Sequence, residues 1–172
     1  MDDFVAIADV VKAVGLKGEV KLYPLLDFHE PLLDSGYLVW EDGAPLELLR
    51  HRPAGSNLAA LPADSRDRNQ AEALVGRQIG FLRRDYLADD FPRPPEGLAF
   101  RYLERPVVTT GGERVGTVSE VRLGGGQFVL VVETANGQAL IPAVAPILAP
   151  DHGLEGELVI DPPEGLLDVN AG

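Results

Sequence analysis

Cysteine is absent from the chain's 172 residues. That excludes a disulfide framework, a thiolate zinc or iron–sulfur site and a cysteine nucleophile, and it agrees with a reducing compartment. Tryptophan occurs once and aromatics make up only 6%, too little for a broad stacking platform for single-stranded nucleic acid. Positive charge is scarce. Fifteen Lys and Arg face 27 Asp and Glu, for a formal net charge of −12, which excludes nucleic-acid binding driven by bulk positive charge. No stretch reaches the roughly 18 consecutive apolar residues of a membrane span. The start, Met1-Asp2-Asp3, is acidic and Asp9 interrupts the apolar run behind it, whereas a secretory signal needs a basic start and an unbroken apolar middle. The expectation is a soluble, cytoplasmic protein with no membrane partner.

What is present is ordinary globular material, 45% hydrophobic and 24% charged, enough for one core or two small ones. The clearest boundary is Asp89-Asp90-Phe91-Pro92-Arg93-Pro94-Pro95-Glu96-Gly97. Its prolines cannot donate backbone hydrogen bonds and favour extended geometry. It reads either as a stiff linker or as a long surface loop. Separate β-rich patterns on both sides favour two domains, 1–90 and 98–172, joined by a linker at 91–97.

In the first domain, residues 4–14 are rich in β-branched side chains and 19–23 alternate polar with apolar, so both read as strands. Gly15 and Gly18 give the connection access to positive φ. Short strands are expected at 37–40 and 46–51 around a turn at 41–43, with a less regular one at 57–61. Asp67 with Gln70 forms a capping-box pattern, and Ala71, Leu74 and Val75 recur at helical spacing, so a short helix is expected over 68–75 with Gly76 ending it. A strand at 78–82 would close a small barrel. The second domain repeats the style at 107–109, 115–121, 128–133, 138–142 and 158–160. Asn136-Gly137 is a hairpin signal, and short strands at this spacing imply a second small barrel.

Little here points to catalysis. Gly15-x-x-Gly18 lacks the Lys-Ser or Lys-Thr of a phosphate loop and leads into a strand. Gly124-Gly125-Gly126 is also followed by a strand, so it reads either as a wide turn or bulge, or as a bare surface that lets an RNA or protein backbone approach. His29, His51 and His152 have no metal-ligand spacing, and His29 reads as a solvated loop residue. No serine lies in a Gly-x-Ser-x-Gly context. The carboxylate pairs Glu41-Asp42 and Asp89-Asp90 sit in loops where neither member would be kept dry. No metal, cofactor or catalytic residue is expected. Residues 1–93 hold 11 basic against 16 acidic residues, a balance of −5, and residues 94–172 hold 4 against 11, a balance of −7. Lys12, Lys17 and Lys21 bracket the first hairpin, with Arg66 and Arg68 ahead of the helix. They form either a local basic patch, effective within a Debye length, or part of a solvated mixed surface. The more acidic second part suits a basic protein partner.

Val14-Gly15-Leu16-Lys17-Gly18-Glu19-Val20-Lys21 resembles the opening signature of the RimM family of ribosome maturation factors. Ser65 to Gly76 resembles that family's central motif. Gly116-Thr117-Val118, Val129 to Val132 and Leu140-Ile141-Pro142 are similar to its PRC-barrel domain, and Asp161-Pro162-Pro163-Glu164-Gly165-Leu166-Leu167-Asp168 to its ending. These four pieces in order cover nearly the whole chain. The resemblance implies a mainly β protein of two small barrels with short helices, the first like those of translation factors and reductases and the second a PRC barrel. It implies a monomeric, non-enzymatic assembly factor. Such a factor binds small-subunit ribosomal protein nineteen and the immature head of the small ribosomal subunit, and promotes folding and processing of its rRNA. A flavin-reductase-like enzyme and a PRC-barrel adaptor unrelated to ribosomes are the rival readings. The family's Tyr-Tyr pair before the second barrel is replaced here by Phe100 and Tyr102, expected to act as exposed aromatic anchors. Its Asn-Asp step after the glycine turn is replaced by Gln127-Phe128. The residues expected to bind the protein partner are Phe100, Tyr102, Gly124, Gly125 and Gln127, and those expected to meet RNA or ribosome are Lys17, Arg66 and Arg68.

Overall fold

The computed structural model describes residues 3–151 and 153–167. Its chain divides into two compact units, Met1–Pro95 and Glu96–Gly172.

The first unit is a curled six-stranded sheet. Strands β1 (Phe4–Val14), β2 (Glu19–Pro24), β3 (Val39–Trp40), β4 (Leu48–Ala54), β5 (Asn57–Pro62) and β6 (Gln78–Leu82) take the order β3-β6-β1-β2-β5-β4. β1 is long enough to serve two neighbours. Its first half pairs with β6 and most of its length with β2, and a register shift in each ladder bends it. The inward-facing Ile7, Val10, Leu22, Ile79 and Phe81 are all 1% exposed or less. Each such side chain contributes about 1.5–3 kcal/mol of burial.

Three expectations change here. The segments 37–40 and 46–51 meet only next to the expected turn, by a bridge from Val39 to Pro45 and a bond from Leu46 N–H to the Leu38 carbonyl; their main partners lie elsewhere, β3 on β6 and β4 on β5. The local alternation could not show this, because pairing partners are set by the whole curled sheet. Strand β6 therefore lies between β3 and β1 and does not close an end. The helix α1 (Arg68–Ala73) is two residues shorter than its apolar spacing suggests. Leu74 ends it in a turn, leaving only Ala71 fully buried.

The proline-rich segment is partly fastened down. Phe91 is 4% exposed, with its ring 5.0 Å from Phe81, 5.2 Å from Tyr37 and 5.5 Å from Tyr86. Arg93 lies over the Tyr86 ring and donates to the Ala88 carbonyl at 3.1 Å. The beginning of the expected linker thus packs on the first unit.

The second unit is a five-stranded sheet. β7 (Pro106–Thr109), β8 (Arg114–Gly124), β9 (Gln127–Thr134), β10 (Gly137–Pro142) and β11 (Leu158–Ile160) take the order β10-β9-β8-β7-β11. All neighbours are antiparallel except β11, which runs parallel to β7. Val107, Val118, Leu130, Val132, Ile141, Leu158 and Ile160 form one apolar core. The hairpin expected at Asn136-Gly137 is present, shifted by one residue. Gly137 already pairs with Thr134, so Ala135 and Asn136 make the turn, and Thr134 Oγ1 accepts from Asn136 N–H. A threonine at the strand end competes for the turn with its own hydroxyl.

A cationic corner and an acidic sheet as candidate sites

Gly18, with φ at +101°, lies so close to Ser65 that an added Cβ would sit 2.3 Å from the Ser65 carbonyl oxygen. Only glycine fits. Ser65 Oγ donates to the Gly18 carbonyl at 2.7 Å in a buried bond. Asp67 caps α1 by accepting from Gln70 N–H at 2.8 Å, and Gln70 Oε1 accepts in return from Arg66 N–H at 2.6 Å. The capping box is therefore real, its second bond one residue earlier than the usual pattern. Arg68 Nη1 donates to the Gly15 carbonyl at 2.9 Å, and its Nε pairs with Glu72. These bonds lock the 15–18 turn against the 65–70 segment.

This lock brings Lys17, Arg66 and Arg68 to one exposed corner. Arg68 also holds the turn, and Ser65 and Gly18 form the joint beneath it. Ser65 was not expected as a contributor, since only the folded approach of two distant segments shows its bond.

On the second unit the glycine run is a tight hairpin turn and not a wide loop. Gly124 pairs with Gln127, and Gly125 and Gly126 take positive φ, +61° and +81°. Two consecutive positive-φ residues make the turn that suits a twisted two-residue hairpin. No atom lies within 4 Å of an added Cβ at Gly124, Gly125 or Gly126, so the tip is bare. Leu123 beside it is 63% exposed.

Phe100 and Tyr102 are not exposed anchors. Phe100 is 5% exposed and Tyr102 3%. Both lie in a 3-10 turn, Ala99–Tyr102. Tyr102 belongs to the second core and meets the Phe128 ring edge-on at 6.2 Å. Arg101 lies over the Tyr102 ring at 4.3 Å and donates to its hydroxyl at 2.7 Å. Burying a large aromatic gains more than presenting it to water, so the exposure expected from the family's Tyr-Tyr pair does not hold for these two. They do not share a surface with the Gly124–Gln127 tip.

A buried arginine cluster escaped the sequence reading. Arg105, 4% exposed, donates to the carbonyls of Gly156, Glu155, Gly153 and Arg101, and its Nη2 meets Asp151 Oδ2 at 2.6 Å. Arg101 Nη1 donates to the Asp151 carbonyl at 2.7 Å. The cluster fixes the loop before β11. It also removes two of the unit's four arginines from its surface. Nine exposed carboxylates of the described second unit then face two exposed arginines, Arg114 and Arg122, and Arg122 is itself paired with Glu120.

Glu41, Asp90 and His51 have structural partners. Glu41 accepts from Arg77 Nη2 at 2.6 Å and from Gln78 N–H at 2.8 Å. The hydrogen bond from Arg77 holds its carboxyl below the ordinary range, against some burial. A general acid would need the opposite shift. Asp90 accepts from the Tyr37 hydroxyl, which pushes that phenol upward. His51 meets Asp34 at 3.0 Å; His29 is half-buried; His152 and Asp168 lie outside the described residues. Among the described residues no group of three His, Cys, Asp or Glu is placed to hold a metal, and no helix is long and apolar enough to cross a membrane.

A small curled β unit with a glycine-locked basic corner, followed by a second acidic one, defines a two-module β protein. The RimM N-terminal domain family matches residues 5–86. A ribosome maturation factor RimM from Synechococcus sp. (strain WH7803) is 34% identical over 98% of this chain and 98% of its own length. The one from Alkalilimnicola ehrlichii is 38% identical over 83% of this chain and 84% of its own. A solved Pseudomonas aeruginosa 16S ribosomal RNA processing protein RimM is 25% identical, with a TM-score of 0.45 over 92% of this chain and 98% of that one. The chain belongs to the RimM family.

Proposed function

We propose that this RimM-family protein acts in maturation of the small ribosomal subunit by binding and release, without covalent chemistry. Its two domains work as separate modules of a cytoplasmic monomer. The acidic second unit holds small-subunit ribosomal protein nineteen, and the first unit meets the rRNA of the immature head around Lys17, Arg66 and Arg68. Binding favours one arrangement of head RNA and protein over its competitors, and release follows when the mature surface no longer fits.

The observation that carries this reading is the charge of the second unit's surface. Burial of Arg101 and Arg105 leaves it almost without free cations. Such a surface attracts a cationic partner and repels the phosphate backbone. The bare Gly124–Gly126 tip permits close approach of a partner backbone, with Leu123 and Gln127 beside it. Tyr102 supports the sheet from within, and Phe100 is buried.

Sucrose-gradient sedimentation of lysate tests the reading. The protein is expected with free small subunits and absent from mature ribosomes, and purified small-subunit ribosomal protein nineteen is expected to retain it in a salt-sensitive manner. A protein that stays at the top of the gradient and shows no retention at low salt contradicts it.

A further inference from the structure

The three lysines of the chain, Lys12, Lys17 and Lys21, all lie on or beside the β1–β2 hairpin. The ladder puts two of them directly opposite one another, Lys12 on β1 facing Lys21 on β2. The same row continues from Lys21 to Ala59 on β5 and from Ala59 to Arg52 on β4. Three cations thus stand in one line across four strands, about 14 Å along the sheet at ordinary strand spacing. Ala59 is fully buried between Lys21 and Arg52.

This row borders an open cleft of ≈ 500 Å³, lined by Lys12, Lys21, Arg52 and Arg68 over a floor of Ala13, Val14, Gly15, Ala54 and Gly55. No carboxylate lines it. Glu19, at its rim, accepts from Arg52 at 3.0 Å and lies 3.7 Å from Arg50. Among the described residues neither lysine side chain has an ion pair or hydrogen bond. Like charges placed directly opposite in a ladder weaken it. With 27 acidic residues in the chain, these two could easily have been given a partner.

We infer that this cleft binds the phosphodiester backbone of RNA, with Lys12 and Lys21 as the principal contacts, Arg52 at one end of the row and Arg68 beside it. The inference rests on the ribosomal reading above for the kind of anion. It extends the Lys17, Arg66 and Arg68 corner, through the shared Arg68, to Lys12, Lys21 and Arg52, and assigns the contact to backbone and not to bases. The cations present point charges at small spacing, and the floor of small residues offers no aromatic on which a base could stack. The match is to phosphate geometry and is therefore tolerant of sequence.

The test is fluorescence anisotropy of the full chain with a labelled transcript of the small-subunit head, titrated at several salt concentrations. The variant is Lys12→Gln with Lys21→Gln, and the control is Arg122→Gln on the second unit. The double variant is expected to bind about tenfold more weakly at moderate salt, with its log K against log salt slope reduced by about 1.4–1.8 for two lost phosphate contacts. Its melting temperature should be no lower than that of the unaltered chain, because a repulsive pair has been removed. The control should bind as the unaltered chain does. Equal affinity and slope in the double variant overturn the inference. So does an unaltered chain that fails to bind the transcript yet still sediments with free small subunits, a result that also removes the RNA contact of the first unit and leaves only the association with the subunit through its protein partner. If the double variant instead loses ribosomal protein nineteen while keeping RNA, the cleft is a protein site and the assignment is wrong.

Discussion

The two units use the same scarce resource in opposite ways. In the first unit, the side chains of all three lysines and Arg66 have no carboxylate partner among the described residues and gather around one hairpin, while Arg77 at the β3–β6 edge is tied to Glu41 and Asp42. In the second unit, the most buried cations, Arg101 and Arg105, serve the loop before β11, and the acids are left outside. Both units carry a negative balance, so net charge alone would give them the same partner. The difference lies in which charges are neutralised inside the fold. Potential acts locally, over about 8–10 Å at ordinary salt, so placement decides what each face attracts.

The comparison can be broken most severely from the second unit's core. Tyr102→Ala removes a ring packed on Phe128 and Arg101 and leaves Arg101 without its hydroxyl acceptor. A loss of about 3–5 kcal/mol is expected for that unit. Denaturant unfolding followed by circular dichroism checks it. Trp40, the one tryptophan and a member of the first unit, should keep its native emission in water. If Tyr102→Ala costs nothing, the residue is not the core group described above and its role as an external anchor returns.

A smaller effect is expected at the cationic corner. Gly18→Ala forces a Cβ against the Ser65 carbonyl at a φ of +101°, and a cost of about 2–3 kcal/mol follows from strain and the broken joint. The variant should also weaken binding of head RNA, because Lys17 loses its fixed place beside Arg66. Full RNA affinity with lowered stability would show that the joint supports the fold only.

Much of this was legible in the sequence. The β1–β2 hairpin was readable because alternation and two turn glycines agree locally. The α1 cap was readable because Asp67 and Gln70 carry the bonds themselves. The misplaced features all depend on distant partners. Phe100 and Tyr102 stand where the resembling family has an aromatic pair, which implies exposed anchors, and only the folded chain shows that both are buried. The pairing of β3 with β6 is a property of the curled sheet. Arg105 reaches carbonyls about fifty positions away, which no local pattern announces. The row from Lys12 to Arg52 likewise exists only through three ladder registers.

The smallest effect concerns acid. Glu41 has a folded pKa below its ordinary value because of its bond from Arg77. Its contribution is therefore complete above the ordinary carboxylate range and disappears as pH falls through the lowered folded value. Glu41→Gln should cost a few tenths of a kcal/mol at neutral pH, since the pair is partly solvated, and should flatten the acid side of the stability curve. A curve unchanged between pH 2 and 7 would remove this ion pair from the first unit's account.

Amide hydrogen exchange on the full chain, with one ligand added at a time, tests the division between the units most directly. Small-subunit ribosomal protein nineteen is expected to protect strands of the second unit and leave residues 12–21 unchanged, while head RNA protects 12–21 and spares β8–β10. Protection of the lysine hairpin by the ribosomal protein, or of the acidic sheet by RNA, would contradict the account.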